Sequence, residues 1–519
     1  MTESSEKPNV LILMIDCLRS DRTLATDRTC KTPNIDKLVK SGTSLPNVFV
    51  ENSITAPSFT SIFTGRYAGN HGVIGMVGVR LSDEVTTMAE IFAVNGYRTY
   101  AEVTGPLSPL LNIDKGFSHY NFRSQHDYYF TEWGEQLLER FKNKCFDSPY
   151  LALIHFWEVH VPRQVPPEFN KPEFGATEYD RSLSALDNYI GRLLDYINDN
   201  TLVILTGDHG EAVGEVPPEN TLLHYFLQKL ELPPIRTQSD ESIEDVSDLM
   251  AKEPLLHQFS IEISRLVEGG SKKLSLWLRI KLMLYLLKIG LTRYRIQMKK
   301  GIIRGYFSDL KQKVNDLMLF LAVARGNAYA AQLQLVRNSL REHSLQHGYH
   351  IYDYLQRVPV VFHRKGLVEE GKRVETELRQ IDLLPTLIDM LELDAPADGF
   401  DGASYLLHMK NGGGKNRTIY LEARGGAQAE KVFLIRGMRH DNLKIAFAPH
   451  EKKAPIEYYD LGNDPQEIKN LSAEQNEKAN ALRDKADGIA STFTAGTGVK
   501  LSAKEIVENV KILKSLGYM

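Results

Sequence analysis

Cysteine is scarce in this chain. Its 519 residues hold three, Cys17, Cys30 and Cys145, too few and too irregular for a disulfide framework. No apolar run reaches about 18 residues, so no conventional membrane span is expected. The opening M-T-E-S-S-E-K-P lacks the basic-then-apolar order of a secretory leader, which makes a cytoplasmic location the expectation. Charge of one sign is missing too: 62 Lys and Arg against 66 Asp and Glu leave −4, with no case for nucleic-acid binding. No internal repeat stands out. With 42% hydrophobic and 25% charged residues, wholesale disorder is excluded and a large core can be buried.

Three apolar stretches, Val10–Ile15, Tyr150–Phe156 and Thr201–Thr206, have the composition of strands buried on both faces of a parallel sheet. Helical patterns at 83–95 and 177–200 and a strand at Tyr97–Val103 complete an α/β alternation. Each of the three apolar strands ends on polar side chains, and ligands of open α/β sheets gather outside strand carboxyl ends. Asp16 follows the first. His155, inside the second, reads as a satisfied core residue, and Glu158 and His160 follow that strand. Asp208 and His209, flanked by glycines, follow the third. Two carboxylates with a neutral imidazole suit Zn²⁺ or Mn²⁺, whereas Mg²⁺ or Ca²⁺ prefers more oxygen donors. Thr55 stands two residues before Pro57, just ahead of a predicted helix with Pro57 at its first position and Ser58 helping to cap it. A helix N-terminus would hold an anionic tetrahedral group beside the Thr55 hydroxyl. Taken alone, the string is an ordinary helix cap.

These residues stand among longer strings: K-T-P-N-I-D-K-L at Lys31–Leu38, T-G-R-Y-A-G-N-H-G at Thr64–Gly72, T-G-D-H-G-E at Thr206–Glu211, R-V-P at Arg357–Pro359, I-D-L-L-P-T-L at Ile381–Leu387 and Y-D-L-G-N-D-P-Q-E-I-K-N-L at Tyr459–Leu471. In that order they resemble the sulfatase-like family of the alkaline phosphatase superfamily, over most of the chain outside roughly 217–342. The resemblance implies an α/β sandwich with a central, mostly parallel sheet and a small C-terminal antiparallel sheet. It also implies a divalent metal on Asp16, Thr55, Asp208 and His209, with Thr55 as nucleophile. A second ion, or substrate contacts, would involve Glu158, His160 and His347, and Arg66 and His71 would return a cation and an imidazole to the substrate.

The chain departs from that family at three points. Sulfatases usually carry two adjacent Asp residues where this chain has Asp16 and Cys17, and Cys17 reads more readily as a small buried residue than as a ligand. Their nucleophile is a Cys or Ser converted to formylglycine, which Thr55 cannot become. Their active-site Lys after the strand at Tyr97–Val103 has no match in T-G-P-L-S-P-L-L. The expectation is therefore a metal-dependent hydrolase of phosphate mono- or diesters. The alternatives are a phospho-alcohol transferase acting on a lipid or glycan, a sulfate ester hydrolase, or a binding module that kept the fold.

Three segments are expected: a catalytic domain (1–216 and 343–410), a helical basic insert (217–342) and a C-terminal subdomain (411–519). Within the insert, 271–313 is dense in Lys and Arg against a single acid, Asp309, with apolar residues interleaved. Its charges do not segregate to one helical face, which leaves a lid, a contact with anionic lipid, an oligomer contact or a plain helical subdomain.

Overall fold

The run Asn9–Ile15 forms strand β1, with all seven residues buried, and it sits near the middle of the main sheet. The computed structural model describes residues 7–229 and 347–513, apart from 77, 216, 219–220, 397–398, 426–432, 495–497, 503, 504, 507, 510 and 511. The other strands of this sheet are β2 (Thr43–Phe49), β4 (Arg98–Val103), β5 (His119–Phe122), β6 (Tyr150–Phe156), β7 (Thr201–Gly207), β8 (Arg357–His363), β9 (Lys372–Arg373) and β10 (Leu378–Arg379). Their order is β10-β2-β8-β7-β1-β6-β4-β5, with β9 beside β2. Every pairing is parallel except the two made by β8.

The period of two along β1 explains why it is apolar throughout. Val10, Ile12 and Met14 join a core with Phe59 and Ile62 of the helix Thr55–Thr64. Leu11, Leu13 and Ile15 join another with Leu183, Leu186 and Ile190 of the helix Glu178–Leu194. Each face is covered, so from Val10 on no polar position occurs until the strand ends at Asp16.

A four-stranded antiparallel sheet comes next: β11 (Ile419–Ala423), β12 (Ile435–His440), β13 (Leu443–Phe447) and β14 (Glu457–Asp460). The helix Asn476–Ser491 packs Ala479, Leu482 and Ala486 against its Met438, Ile445 and Phe447. A further antiparallel pair joins β3 (Val79–Arg80) to β15 (Val499–Lys500). The mixed α/β fold is the one expected.

After β10 a helix runs only from Leu383 to Leu391, because 378–379 pair with β2 and Asp382 binds the Arg379 and Ala403 amides at the turn. The start of the insert, Leu222–Lys229, is a helix on the C-terminal sheet: the Leu222 amide donates to Glu457, and Phe226 meets Phe433 at 4.6 Å between rings. The basic stretch 271–313 lies outside the described residues. Among those described, no helix is long and apolar enough to cross a membrane.

Candidate active site

The carboxyl ends of β1, β6 and β7 lie side by side, because β1 pairs with both neighbours in parallel. They deliver Asp16, the turn Trp157–His160 and the pair Asp208–His209 to one edge. Since β8 runs the other way, the segment ahead of it, starting at His347, arrives at the same edge. The helix Thr55–Thr64 comes after β2 and begins at Thr55 itself. Pro57 is therefore its third residue, not its first, and removes one amide from the helix N-terminus. The Ser58 hydroxyl does not cap the helix; it donates to the Asp208 carbonyl.

Thr55, Asp16, Asp208 and His209 are fully buried together. The Thr55 hydroxyl lies 3.3 Å from Asp16 Oδ2 and 3.2 Å from His209 Nε2. His209 Nε2 is 3.5 Å from Asp208 Oδ2, while its Nδ1–H donates to the Gly210 carbonyl at 2.9 Å. That bond fixes the tautomer and leaves the Nε2 lone pair facing the acids, as a metal-binding imidazole requires. Gly210 is needed here because a Cβ would come within 2.1 Å of the Tyr354 carbonyl oxygen.

His347 adjoins this group, its Nδ1 2.9 Å from Glu211 Oε2 and its ring 4.5 Å from that of His209. His160 stacks on Trp157 at 4.0 Å and meets His347 at 5.1 Å. Three residues without an expected role also take part. Cys17 Sγ donates to Asp16 Oδ1 at 2.9 Å and lies 3.7 Å from Glu211 Oε2. His155 is not a satisfied core residue: its Nε2 is 3.6 Å from Asp16 Oδ2, and neither ring nitrogen has a hydrogen bond. Glu211, at the end of the string T-G-D-H-G-E, is the third. Adjacency to Asp16 and Asp208 was the available signal for Cys17 and Glu211. For His155 it was the register, which sets it beside Met14 one step before the strand end.

Other expected residues do not reach the site. Glu158 accepts from the Tyr129 amide at 2.9 Å and lies 3.8 Å from Arg123, and it shares no donor cluster with the acids and imidazoles. Arg66 and His71 lie beyond the far end of the ten-residue helix Thr55–Thr64, about 15 Å long, which closes at Gly65 in the left-handed conformation. His71 is a buried structural residue. Its Nδ1 accepts from the Val73 amide at 3.1 Å, so its Nε2–H donates to Ser61 Oγ at 2.9 Å.

Burial, helped by Arg66, pulls the His71 pKa from 6.5 down to about 3. Above 6.5 the imidazole is neutral folded or unfolded. Below that value the unfolded chain takes up a proton that the folded chain refuses, so stability is lost toward acid, by about 1.4 kcal/mol per pH unit. His71→Gln should be the less stable protein at pH 7, and urea titrations should show the gap narrowing as pH falls from 6.5 toward 3. A gap independent of pH would contradict this.

The electrostatics call for a cation. Burial first, then Asp208, holds the Asp16 carboxyl well above the ordinary range. Burial alone would raise Glu211, but the His347 imidazole, through charge and hydrogen bond, brings it down to about 2. Burial lowers His209. It pushes His160 well down, helped by His347. Asp208 Oδ2 is buried without a hydrogen-bond partner. Donor atoms of Asp16, Cys17 and His209 lie within 4.8 Å of one another, as do those of Asp16, His155 and Asp208, and those of Cys17, His160 and His347. The residues fit a divalent ion: carboxylates and lone-pair imidazoles converge on one buried place with negative charge to spare.

Comparison with known proteins bears on this geometry. Residues 8–243 match the sulfatase family model, and 341–487 match the model for the C-terminal region of N-sulphoglucosamine sulphohydrolase. The chain is 26% identical over 266 residues to an ulvan-active sulfatase of Formosa agariphila, covering 40% of this chain and 51% of that one. It is 21% identical over 504 residues to an N-acetylglucosamine-6-O-sulfatase of Bacteroides thetaiotaomicron, covering 90% and 83%. The phosphonate monoester hydrolase of Agrobacterium radiobacter shares the fold with a TM-score of 0.58 at 16% identity, over 93% of this chain and 95% of that one. For several of the curated sulfatases it matches, the chain spans only about half their length.

Proposed function

Because this chain belongs to the sulfatase family, we propose that it is a hydrolase of anionic esters in which the Thr55 hydroxyl is the nucleophile and a sulfate ester is the substrate class. One observation carries the nucleophile: Thr55 Oγ1 opens a helix within 3.3 Å of both Asp16 and His209, at the focus of the buried donor cluster. The substrate class rests on the relatives, whose names specify sulfate esters of sugars.

Asp16, Asp208 and His209, with Thr55, would hold a divalent cation, which when bound supplies Lewis acidity to the hydroxyl and screens the incoming oxyanion. The chain's own groups do the rest. Asp16 Oδ2 accepts the Thr55 hydroxyl proton's hydrogen bond and so aims the oxygen lone pairs into the cluster. The amides of Thr55 and Ala56, without partners inside the helix, face the substrate's oxygens. Attack joins Thr55 Oγ1 to the central sulfur, its proton passing to Asp16 Oδ2, and breaks the sulfur–oxygen bond to the alcohol. His347 is placed to hand a proton to that alcohol from Nε2, because Glu211 engages Nδ1–H and turns Nε2 away from itself. Water then cleaves the threonine ester and frees the anion.

A second reading is favoured by the side chain at position 55. A threonine cannot become the formylglycine of sulfatases, and the string T-G-P-L-S-P-L-L directly after β4 carries no Lys, while Lys115 further along the loop pairs with Glu90 at 3.2 Å, so phosphate or phosphonate esters stay in contention. The fold neighbour that hydrolyses phosphonate monoesters accords with this. The two are separated by measuring kcat/KM on p-nitrophenyl sulfate, phosphate, phenylphosphonate and the phosphodiester with Mn²⁺, Zn²⁺ or Ca²⁺. The proposal expects the sulfate ester to lead by about tenfold or more, about 1.4 kcal/mol in barrier. A lead for any phosphoryl ester would move the substrate class while keeping Thr55, and no turnover of any would remove the hydrolase reading.

A further inference from the structure

We infer that Cys17 is a thiolate ligand to the cation held by Asp16 and His209, so that the site prefers a thiophilic ion such as Zn²⁺ or Co²⁺ over Ca²⁺ or Mg²⁺. The inference rests on the metal-dependent reading above and adds a ligand and a selectivity that the family's paired aspartates would not provide. Three observations support it. The sulfur, an Asp16 oxygen and a His209 nitrogen lie within 4.8 Å of one another, all buried. Cys17 sits at φ +63°, a left-handed conformation that a residue with a Cβ adopts only when its surroundings impose it. Those surroundings are visible: its amide donates to Asp208 Oδ1 at 3.1 Å, and its carbonyl accepts from the Tyr179 hydroxyl at 2.8 Å. A residue needed only to fill space would not be held this way with its sulfur against the carboxylates of Asp16 and Glu211. The same sulfur also faces His160 and His347, so every donor near it but the carboxylates is nitrogen. A soft sulfur with imidazoles selects zinc-like ions, whereas an oxygen-only set selects calcium or magnesium. On binding, the S–H bond breaks, a sulfur–metal bond forms, and the proton leaves to the buffer.

Cobalt(II) is the probe, added alone to the full chain stripped of metal, in a Cys145→Ser background because Cys145 is exposed. The expected result is one ion per chain and an intense thiolate-to-cobalt charge-transfer band in the near ultraviolet, absent from Cys17→Ser. Cys17→Asp should bind without the band and lose Zn²⁺ preference over Mn²⁺ by about tenfold or more. In the unmutated chain, bound Zn²⁺ should protect Cys17 from iodoacetamide, read by peptide mass spectrometry, which needs no variant to fold. Cobalt bound without the band, or Cys17 alkylated at the same rate with and without Zn²⁺, would overturn the inference and leave the hydrolase reading standing. A band that survives Asp16→Ala but not His160→Ala would overturn the placement beside Asp16. Failure to bind any ion would remove both.

Discussion

Thr55→Ala should lower kcat by about 10⁴-fold or more, with the melting temperature nearly unchanged, because one hydroxyl leaves and the helix it opens remains. Thr55 is fully buried, and the alanine keeps its Cβ, so the space opened is small. Thr55→Ser, which keeps the oxygen, should retain measurable turnover. Steady-state kinetics on the best p-nitrophenyl ester, with denaturation curves beside them, separate a chemical loss from a folding loss. If the alanine variant kept more than about a tenth of the activity, Thr55 would only line the site, and a metal-held water would be the better nucleophile.

Asp16→Asn should act in opposite directions on activity and on the metal-free fold. Loaded with Mn²⁺ or Zn²⁺, the variant should lose about 10³-fold in kcat/KM and most of its ion affinity, because a central carboxylate is gone. Stripped of metal, it should unfold at higher denaturant than the unmutated chain. Asp16 carries a carboxyl whose pKa is raised by burial and by Asp208, so at neutral pH its charge opposes folding and an amide's does not. The gain should appear as a higher denaturation midpoint, while Asn can still meet Thr55 and Cys17 by hydrogen bonds. Denaturation with and without chelator checks both signs; a metal-free variant less stable than the parent would contradict the crowded-carboxylate account.

Much of this site is legible in the sequence, for a physical reason. A strand buried on both faces can take polar residues only where it ends, so Asp16 and Asp208–His209 mark the sheet's carboxyl edge in the sequence itself. What periodicity does not report is direction. His347 was expected from a family string, but its partner Glu211 lies across an insert of more than a hundred residues and no spacing links the two. Glu158 and His160 are two apart in one turn, and only the fold shows Glu158 engaged with Tyr129 and Arg123. Arg66 and His71 fell to simple length, since a ten-residue helix carries the chain beyond it away from Thr55. Cys17 is buried, as expected, but a small buried side chain next to a ligand looks the same in sequence whether it packs or binds. The basic stretch at 271–313, read as a lid, a lipid contact or an oligomer contact, lies outside the described residues.

The proposed chemistry stands or falls on a bond between Thr55 Oγ1 and the substrate's central atom. Acid quenching of the metal-loaded enzyme during turnover, with digestion and mass spectrometry of the peptide that spans Thr55, reads that bond directly. The expected spectrum shows a sulfo adduct on Thr55 with the sulfate ester, or a phosphoryl adduct if the phosphoryl class prevails, and neither in Thr55→Ala. An unmodified Thr55 peptide throughout turnover, with the adduct on another residue or a burst of product without any adduct, would contradict it.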